Sequence, residues 1–346
     1  MTSPDVAIGL FLTNQHPVGS DMAAAVDGQL ELLRAARDAG WDSVWAGQHY
    51  LAGDLAMTQP VPFLARLAAD AGDMRVGLGI MLLALQNPVD VAETVATLDA
   101  ITHGRFILGV GLGYRDVEYD AFGVPKGTRV LRFEENLRIA QALLRGERVS
   151  ADHPWCRLDD VALTIAPVQR PAPPVWMAAN SDKAVARAAR LADTWLVNPH
   201  ATLETITRQV ALFRAERAAA GREPAATLPA VKEVFCARDR ATALELAGPA
   251  LANKYRVYGA WGQDKVLPGE EDFGIAFDQL ERDRFVLGSP EECLAQLLPW
   301  RERLGVDHFV VRTHWSGLPV DAALGSIRLL SEEVVPVLRA AQAGPG

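Results

Sequence analysis

Short apolar runs alternate with segments of helical periodicity along almost the whole chain. That alternation admits few folds, because strands separated by helices pair in parallel and need both faces covered. Val6 to Leu12 reads as a first strand, followed by a helix over Met22 to Ala39 that Gly40 stops. Ser43 to Ala46, Arg75 to Leu83 and Phe106 to Leu112 read as the next three strands. Between them lie helical patterns over Gln59 to Ala71 and from Pro88, where Val91, Val95 and Leu98 share one face. A further helix over Val130 to Leu144 places Phe133, Leu137, Ala140 and Leu144 together. Ala166 to Pro174 is proline-rich and could be a linker; alternation resumes at once, so it reads as a loop feeding a fifth strand, Val175 to Ala178. Thr194 to Val197, Leu228 to Ala237 and His308 to Arg312 complete eight strands, and a last helix turns Leu324, Ile327, Val334 and Leu338 inward. The expectation is an α/β fold, a (β/α)8 TIM barrel with insertion segments, in one domain over residues 1–346.

Composition narrows the function classes. With 49% hydrophobic and 22% charged residues among 346, the chain can bury a large core. A formal net charge of −9 lacks the basic footprint of a nucleic-acid binder. The longest apolar run, Val76 to Leu85, is too short to span a membrane. The start, Met1-Thr2-Ser3-Pro4-Asp5, has no basic residue before its apolar stretch and reads as the approach to a strand, not as a signal peptide. Cys156, Cys236 and Cys293 are too far apart for a zinc or redox motif, which fits a reducing cytoplasm. Residues 255–284 break the pattern with glycines, aromatics and Gly269-Glu270-Glu271-Asp272, and read either as a functional or mobile loop or as a tolerated surface insertion.

In an α/β barrel the chemistry sits at the C-terminal ends of the strands. Polar and small residues collect there: Thr13-Asn14-Gln15-His16, Gln48-His49-Tyr50, Gly113-Tyr114-Arg115-Asp116, Asn180-Ser181-Asp182-Lys183 and Arg312-Thr313-His314-Trp315. The glycines from Gly77 and from Gly109 miss the G-x-G-x-x-G spacing of a dinucleotide loop. No P-loop, nucleophile elbow or metal-binding histidine pair is present, so no metal site is expected. His49 follows a strand end among polar neighbours and suits either chemistry or an ordinary structural role. His314 carries the same ambiguity with less support. Asn180-Ser181 opens a helix; its amides suit a phosphate, and Ser181 equally suits an N-cap.

Phe11-Leu12-Thr13-Asn14-Gln15-His16-Pro17, Gly40-Trp41-Asp42-Ser43-Val44-Trp45 with Gln48-His49, and Gln86-Asn87-Pro88 resemble the bacterial luciferase-like flavin-dependent monooxygenase family. So do Thr102-His103-Gly104-Arg105-Phe106, Gly109-Val110-Gly111-Leu112-Gly113 and Phe285-Val286-Leu287-Gly288-Ser289-Pro290, all in the family's order. The resemblance implies reduced FMN, or in one branch a deazaflavin, bound at the C-terminal face. It makes His49 the catalytic candidate beside the flavin and places a non-prolyl cis peptide at Gly79-Ile80. Asn180 and Ser181 become the phosphate site, and Asn14, Gly113, Tyr114 and Lys183 further cofactor-binding candidates. Leu112 stands where bacterial luciferase has a phosphate-gripping arginine, and Arg115 is a candidate substitute. The implied activity is a two-component monooxygenase in which a separate flavin reductase supplies reduced FMN and one atom of O2 enters a small organic substrate. The alternatives are a deazaflavin-dependent dehydrogenase or reductase that moves hydride without O2, and a non-catalytic flavin-binding protein. Residues 255–284 become the lid candidate, and the resemblance leaves room for a homodimer.

Overall fold

The computed structural model describes residues 6–269 and 271–342. The opening residues 1–5, read above as leading into a strand, lie outside them, as do residues 343–346 and Glu270 of the acidic cluster. The described strands are β1 (Ala7–Leu12), β2 (Gln15–Pro17), β3 (Ser43–Ala46), β4 (Leu55–Met57), β5 (Arg75–Leu82), β6 (Phe106–Gly111) and β7 (Val149–His153). They continue with β8 (Cys156–Val161), β9 (Val175–Ala179), β10 (Thr194–Val197), β11 (Pro229–Cys236), β12 (Phe285–Gly288) and β13 (His308–Arg312). Eight of them close a parallel barrel in the order β1-β3-β5-β6-β9-β10-β11-β13, with β13 returning to β1. These are the eight expected strands, shifted by a residue or so at some ends. They are legible because β3, β6, β10 and β13 are buried at every position, so their apolar runs are unbroken.

Five strands escaped the sequence reading. β12 adds in parallel to the second half of β11, pairing Glu233 with Phe285 through Cys236 with Gly288. Its four residues are too few to stand out from the irregular stretch before them. The β7–β8 hairpin lies outside the barrel and is largely exposed, so it carries no clean apolar pattern. β2 and β4 form a small antiparallel pair that joins the loops after β1 and β3. Residues 255–260 also belong to regular structure, as the last turns of the helix Arg240–Ala260; the irregular stretch starts after them.

The barrel interior explains the glycines. Trp45 stacks on Trp176 with ring centroids 5.0 Å apart, and Phe11, Ile107, Leu196, Val231 and Val310 fill the layers around them. A β-carbon on Gly77 would lie 2.2 Å from the Trp45 ring, and one on Gly109 would lie 1.8 Å from the Leu78 carbonyl oxygen. These glycines are therefore demanded by packing within the sheet, not by a phosphate. The Gly79–Ile80 peptide is cis, as the resemblance implied, and β5 shifts register against β6 between Leu78 and Met81. Ile80 turns toward β6, where a β-carbon on Gly111 would meet its side chain at 2.6 Å.

Candidate active site

Above this interior, at the C-terminal ends of the strands, lies a cavity of about 550 Å3, within the size range of small-molecule sites. Its lining includes Phe11, Ile80, Leu82, Leu196 and Val231 as apolar surface and Asn14, Gln15, Asn198, His200 and Arg312 as polar groups. Of the nine predicted site residues, His49, Asn14, Gly79, Ile80, Gly113, Tyr114, Asn180 and Ser181 line it. Lys183 does not: it is exposed on the helix that begins at Asp182. Asn14 is buried and donates to the carbonyls of Gly47, at 2.9 Å, and Thr58, at 2.6 Å, so it fixes loop geometry at the rim.

His49 is oriented by a specific partner. Its Nδ1 lies 3.0 Å from Glu118 Oε1, and Glu118 is almost fully buried. The same carboxylate accepts the Tyr50 amide at 2.9 Å and Arg115 Nη1 at 3.2 Å. A carboxylate on Nδ1 favours the tautomer that leaves Nε2 as an acceptor. Tyr114 and Tyr258 meet the imidazole edge-on, and Trp261 packs at 5.1 Å between centroids. These rings cover most of the histidine and leave 14% of its side chain exposed. The Tyr114 hydroxyl is buried with no hydrogen-bond partner among the described residues, and burial holds its pKa well above the ordinary phenol value. A buried, unpaired hydroxyl on a cavity wall is suited to a polar ligand edge.

Arg115 is not a phosphate ligand. It donates to the carbonyls of Tyr50 and Leu51 at 2.6 and 2.9 Å and lies 4.1 Å over the Trp261 ring. Besides Arg312, the cations that line the cavity are Lys126, Arg129 and Lys265, which the sequence reading did not single out. Ser181 caps the helix Asp182–Leu191 and accepts from the Ala184 amide, so the N-cap reading holds while the cavity also borders this helix start. Asp182 adds a negative charge in the first turn, but Arg208 pairs with it at 2.6 and 2.9 Å and keeps its carboxyl below the usual range. An apolar floor, a helix start, lysine and arginine side chains and an unpaired hydroxyl form a donor set that fits a planar ring bearing an anionic tail.

His314 lies outside the cavity; its ring is buried between Gln29 and the Leu318 carbonyl. His200 was missed, although it follows β10 as the strand-end rule requires. It is neutral, since burial pushes its pKa well below the usual value, and its Nδ1 lies 3.1 Å from the Tyr255 hydroxyl. Also missed was a buried charge cluster beside the cavity. Glu233 accepts from Lys254, Arg312 and Trp315. Those partners outweigh its desolvation and hold its carboxyl down at about 2, while burial pushes Lys254 down to about 7. Among the described residues, no cluster of histidine, cysteine and acidic side chains could hold a metal ion, and no helix is long and apolar enough to cross a membrane.

The family model described as luciferase-like monooxygenase matches residues 6–308. The chain belongs to that family. Solved structures similar to it share the luciferase-like barrel at low identity, which bears on fold alone. Monooxygenase RslO1 from Streptomyces bottropensis is 22% identical with a TM-score of 0.85, over 96% of this chain and 99% of that one. The oxygenating constituent of 3,6-diketocamphane monooxygenase from Pseudomonas putida, in complex with FMN, is 19% identical with a TM-score of 0.79, over 99% and 100%. An F420-dependent secondary alcohol dehydrogenase, holding an F420-acetone adduct, is 18% identical with a TM-score of 0.77, over 96% and 99%. The chain is a single-barrel member of the luciferase-like monooxygenase family, and the solved structures it resembles include one with FMN and one with F420.

Proposed function

We propose that this protein is a two-component monooxygenase that takes reduced FMN from a separate flavin reductase and uses O2 to oxygenate a small organic substrate. The observation that carries the reading is His49, which lines the cavity with the cis Gly79–Ile80 segment, is anchored through Nδ1 on Glu118 and is screened by three aromatic rings. When bound, the reduced flavin would supply the electrons that activate oxygen. The chain's own part is to hold and shield. Ile80 and Phe11 offer an apolar bed, and the start of the Asp182–Leu191 helix with Arg129 and Lys126 offers donors for a phosphate. His49 Nε2 can hold or pass a proton at the ring edge, and the aromatic wall limits the access of water. Lys126, Arg129 and Lys265 would also suit the longer anionic tail of F420, a deazaflavin, which keeps hydride transfer without O2 as the second reading.

The test is anaerobic titration of the purified protein with reduced FMN, oxidised FMN and F420, followed by rapid mixing with air-saturated buffer. Reduced FMN is expected to bind more tightly than F420, and FMN more tightly than riboflavin. His49→Ala is expected to alter the oxygen phase while stability stays within about 1 kcal/mol. Tight F420 binding with no reaction toward oxygen would overturn the monooxygenase reading in favour of hydride transfer. Sedimentation of the same samples decides whether the enzyme works as a homodimer.

A further inference from the structure

We propose that Arg312 forms an anion-binding subsite inside the cavity, separate from the helix start at Ser181, and that it receives the carboxylate of an acidic organic substrate with an apolar body. The proposal rests on the reading of this cavity as the active site and adds the class of molecule that enters it. Arg312 ends β13, lines the cavity and is 8% exposed. Its guanidinium lies 4.1 Å over the Phe11 ring, and Nη1 donates to Glu233 at 3.2 Å. Its Nε is buried with no hydrogen-bond partner among the described residues. A buried guanidinium N–H without an acceptor is costly, and a carboxylate is the acceptor whose geometry matches that fork.

Charge balance points the same way. Glu233 is one carboxylate shared by two cations, Lys254 and Arg312. The neighbouring Arg284 is already matched by Glu271, and His200 is neutral. With Lys254 protonated, the cluster carries one positive charge in excess in a buried place, which an anion beside Arg312 would offset. Burial, and after it the charge of Arg312, lower the Lys254 pKa to about 7, so an anion beside Arg312 would also favour the protonated lysine. Phe11 lies against the guanidinium, and Leu196 and Val231 line the same cavity. A group that met Arg312 with a carboxylate would lay its hydrocarbon part on these side chains. Tyr258, whose hydroxyl accepts from Gln15 Nε2 at 3.0 Å, lines the same cavity as Arg312.

The test uses the full chain without flavin and takes benzoate and its neutral analogue benzamide as probes, with affinities from calorimetry. Benzoate is expected to bind at least tenfold more tightly than benzamide, and saturating inorganic phosphate is expected to leave it bound. Arg312→Gln should cut benzoate affinity at least tenfold, and Arg312→Lys should restore part of it. Lys254→Met removes the excess charge but leaves Glu233 paired with Arg312; it should weaken benzoate severalfold, and it keeps the idea testable if Arg312→Gln does not fold. Equal affinity for the two probes, or displacement of benzoate by phosphate, would overturn the proposal. So would an Arg312→Gln variant that loses affinity for reduced FMN while benzoate is unaffected, because Arg312 would then serve the flavin ring. Failure to bind FMN with benzoate binding intact would instead strike at the proposed function alone.

Discussion

A methyl group on Gly109 would sit 1.8 Å from the Leu78 carbonyl oxygen, whereas one on Gly127 would meet nothing within 4 Å. Both are glycines in a chain rich in them, and their meanings differ because one faces backbone and the other open space. Backbone cannot give way as a side chain tip can, so Gly109→Ala must displace β5 against β6. It is expected to cost ~2 kcal/mol or more, as overpacking in a closed core does. Gly127→Ala is expected to stay within about 0.5 kcal/mol. Urea unfolding midpoints of the two variants measure the contrast, and equal midpoints would show that the strand relaxes around the added group. The same scale separates the arginines. Arg115 and Arg312 both follow or end barrel strands, but Arg115 donates to the carbonyls of Tyr50 and Leu51 and Arg312 keeps a donor unpaired.

At the scale of elements, the segment read as a lid or an insertion divides in two. Residues 255–260 continue the helix Arg240–Ala260, with Tyr255 fully buried against Phe273 and Phe285. Beyond it the chain runs irregularly, and Gln263, Lys265, Val266 and Leu267 come to the cavity. Its backbone hydrogen bonds are short-range, Gly262 to Gly259, Gln263 to Tyr258, Val266 to Gln263 and Leu267 to Asp264, around one 3-10 turn at Asp264–Val266, and Leu267 is buried. Amides over residues 262–269 should exchange faster than those of residues 255–260 in the ligand-free protein, and should slow when FMN is added. Hydrogen-exchange mass spectrometry reads this directly. Uniformly strong protection across both stretches before ligand is added would mark a fixed roof and not a lid.

For the whole molecule, burial of titratable groups ties stability to pH. His308 is enclosed in the barrel interior, 2.7 Å from Ser43 Oγ, and burial pushes it down to about 3; His314 is pushed down to about 4. A histidine depressed in the folded state takes its proton more readily when unfolded, so stability falls as pH drops from about 6.5 toward those values. Glu233, held down at about 2, adds the same sign between the ordinary carboxylate range and that value. Asp307, raised by burial, works in the opposite direction but over the carboxylate range only. The net expectation is a decline on the order of a few kcal/mol between pH 7 and pH 4. Urea midpoints across that interval check it, and a flat profile would mean that the buried histidines are relieved by water. His308→Gln should make the decline shallower from about pH 6.5 down to pH 4.

The closed parallel barrel was legible because each strand is buried on both faces and each helix on one, and those demands write period and run length into the chain. The location of the site was legible for the same reason, since strand ends follow from strands. The cis bond at Gly79–Ile80 and the weight given to His49 came from resemblance. What the linear order could not show was which charges meet. Glu233, Lys254 and Arg312 lie on β11, on a helix and on β13, and become one cluster only when the barrel closes. Lys232 and Glu233 are adjacent in one strand, yet Lys232 turns to the Trp300 ring at 4.0 Å while Glu233 turns to Arg312. Periodicity is a property of neighbours along the chain, whereas desolvation and ion pairing belong to neighbours in space, so the sequence determined the barrel and the tertiary structure alone decided which of its buried charges are balanced.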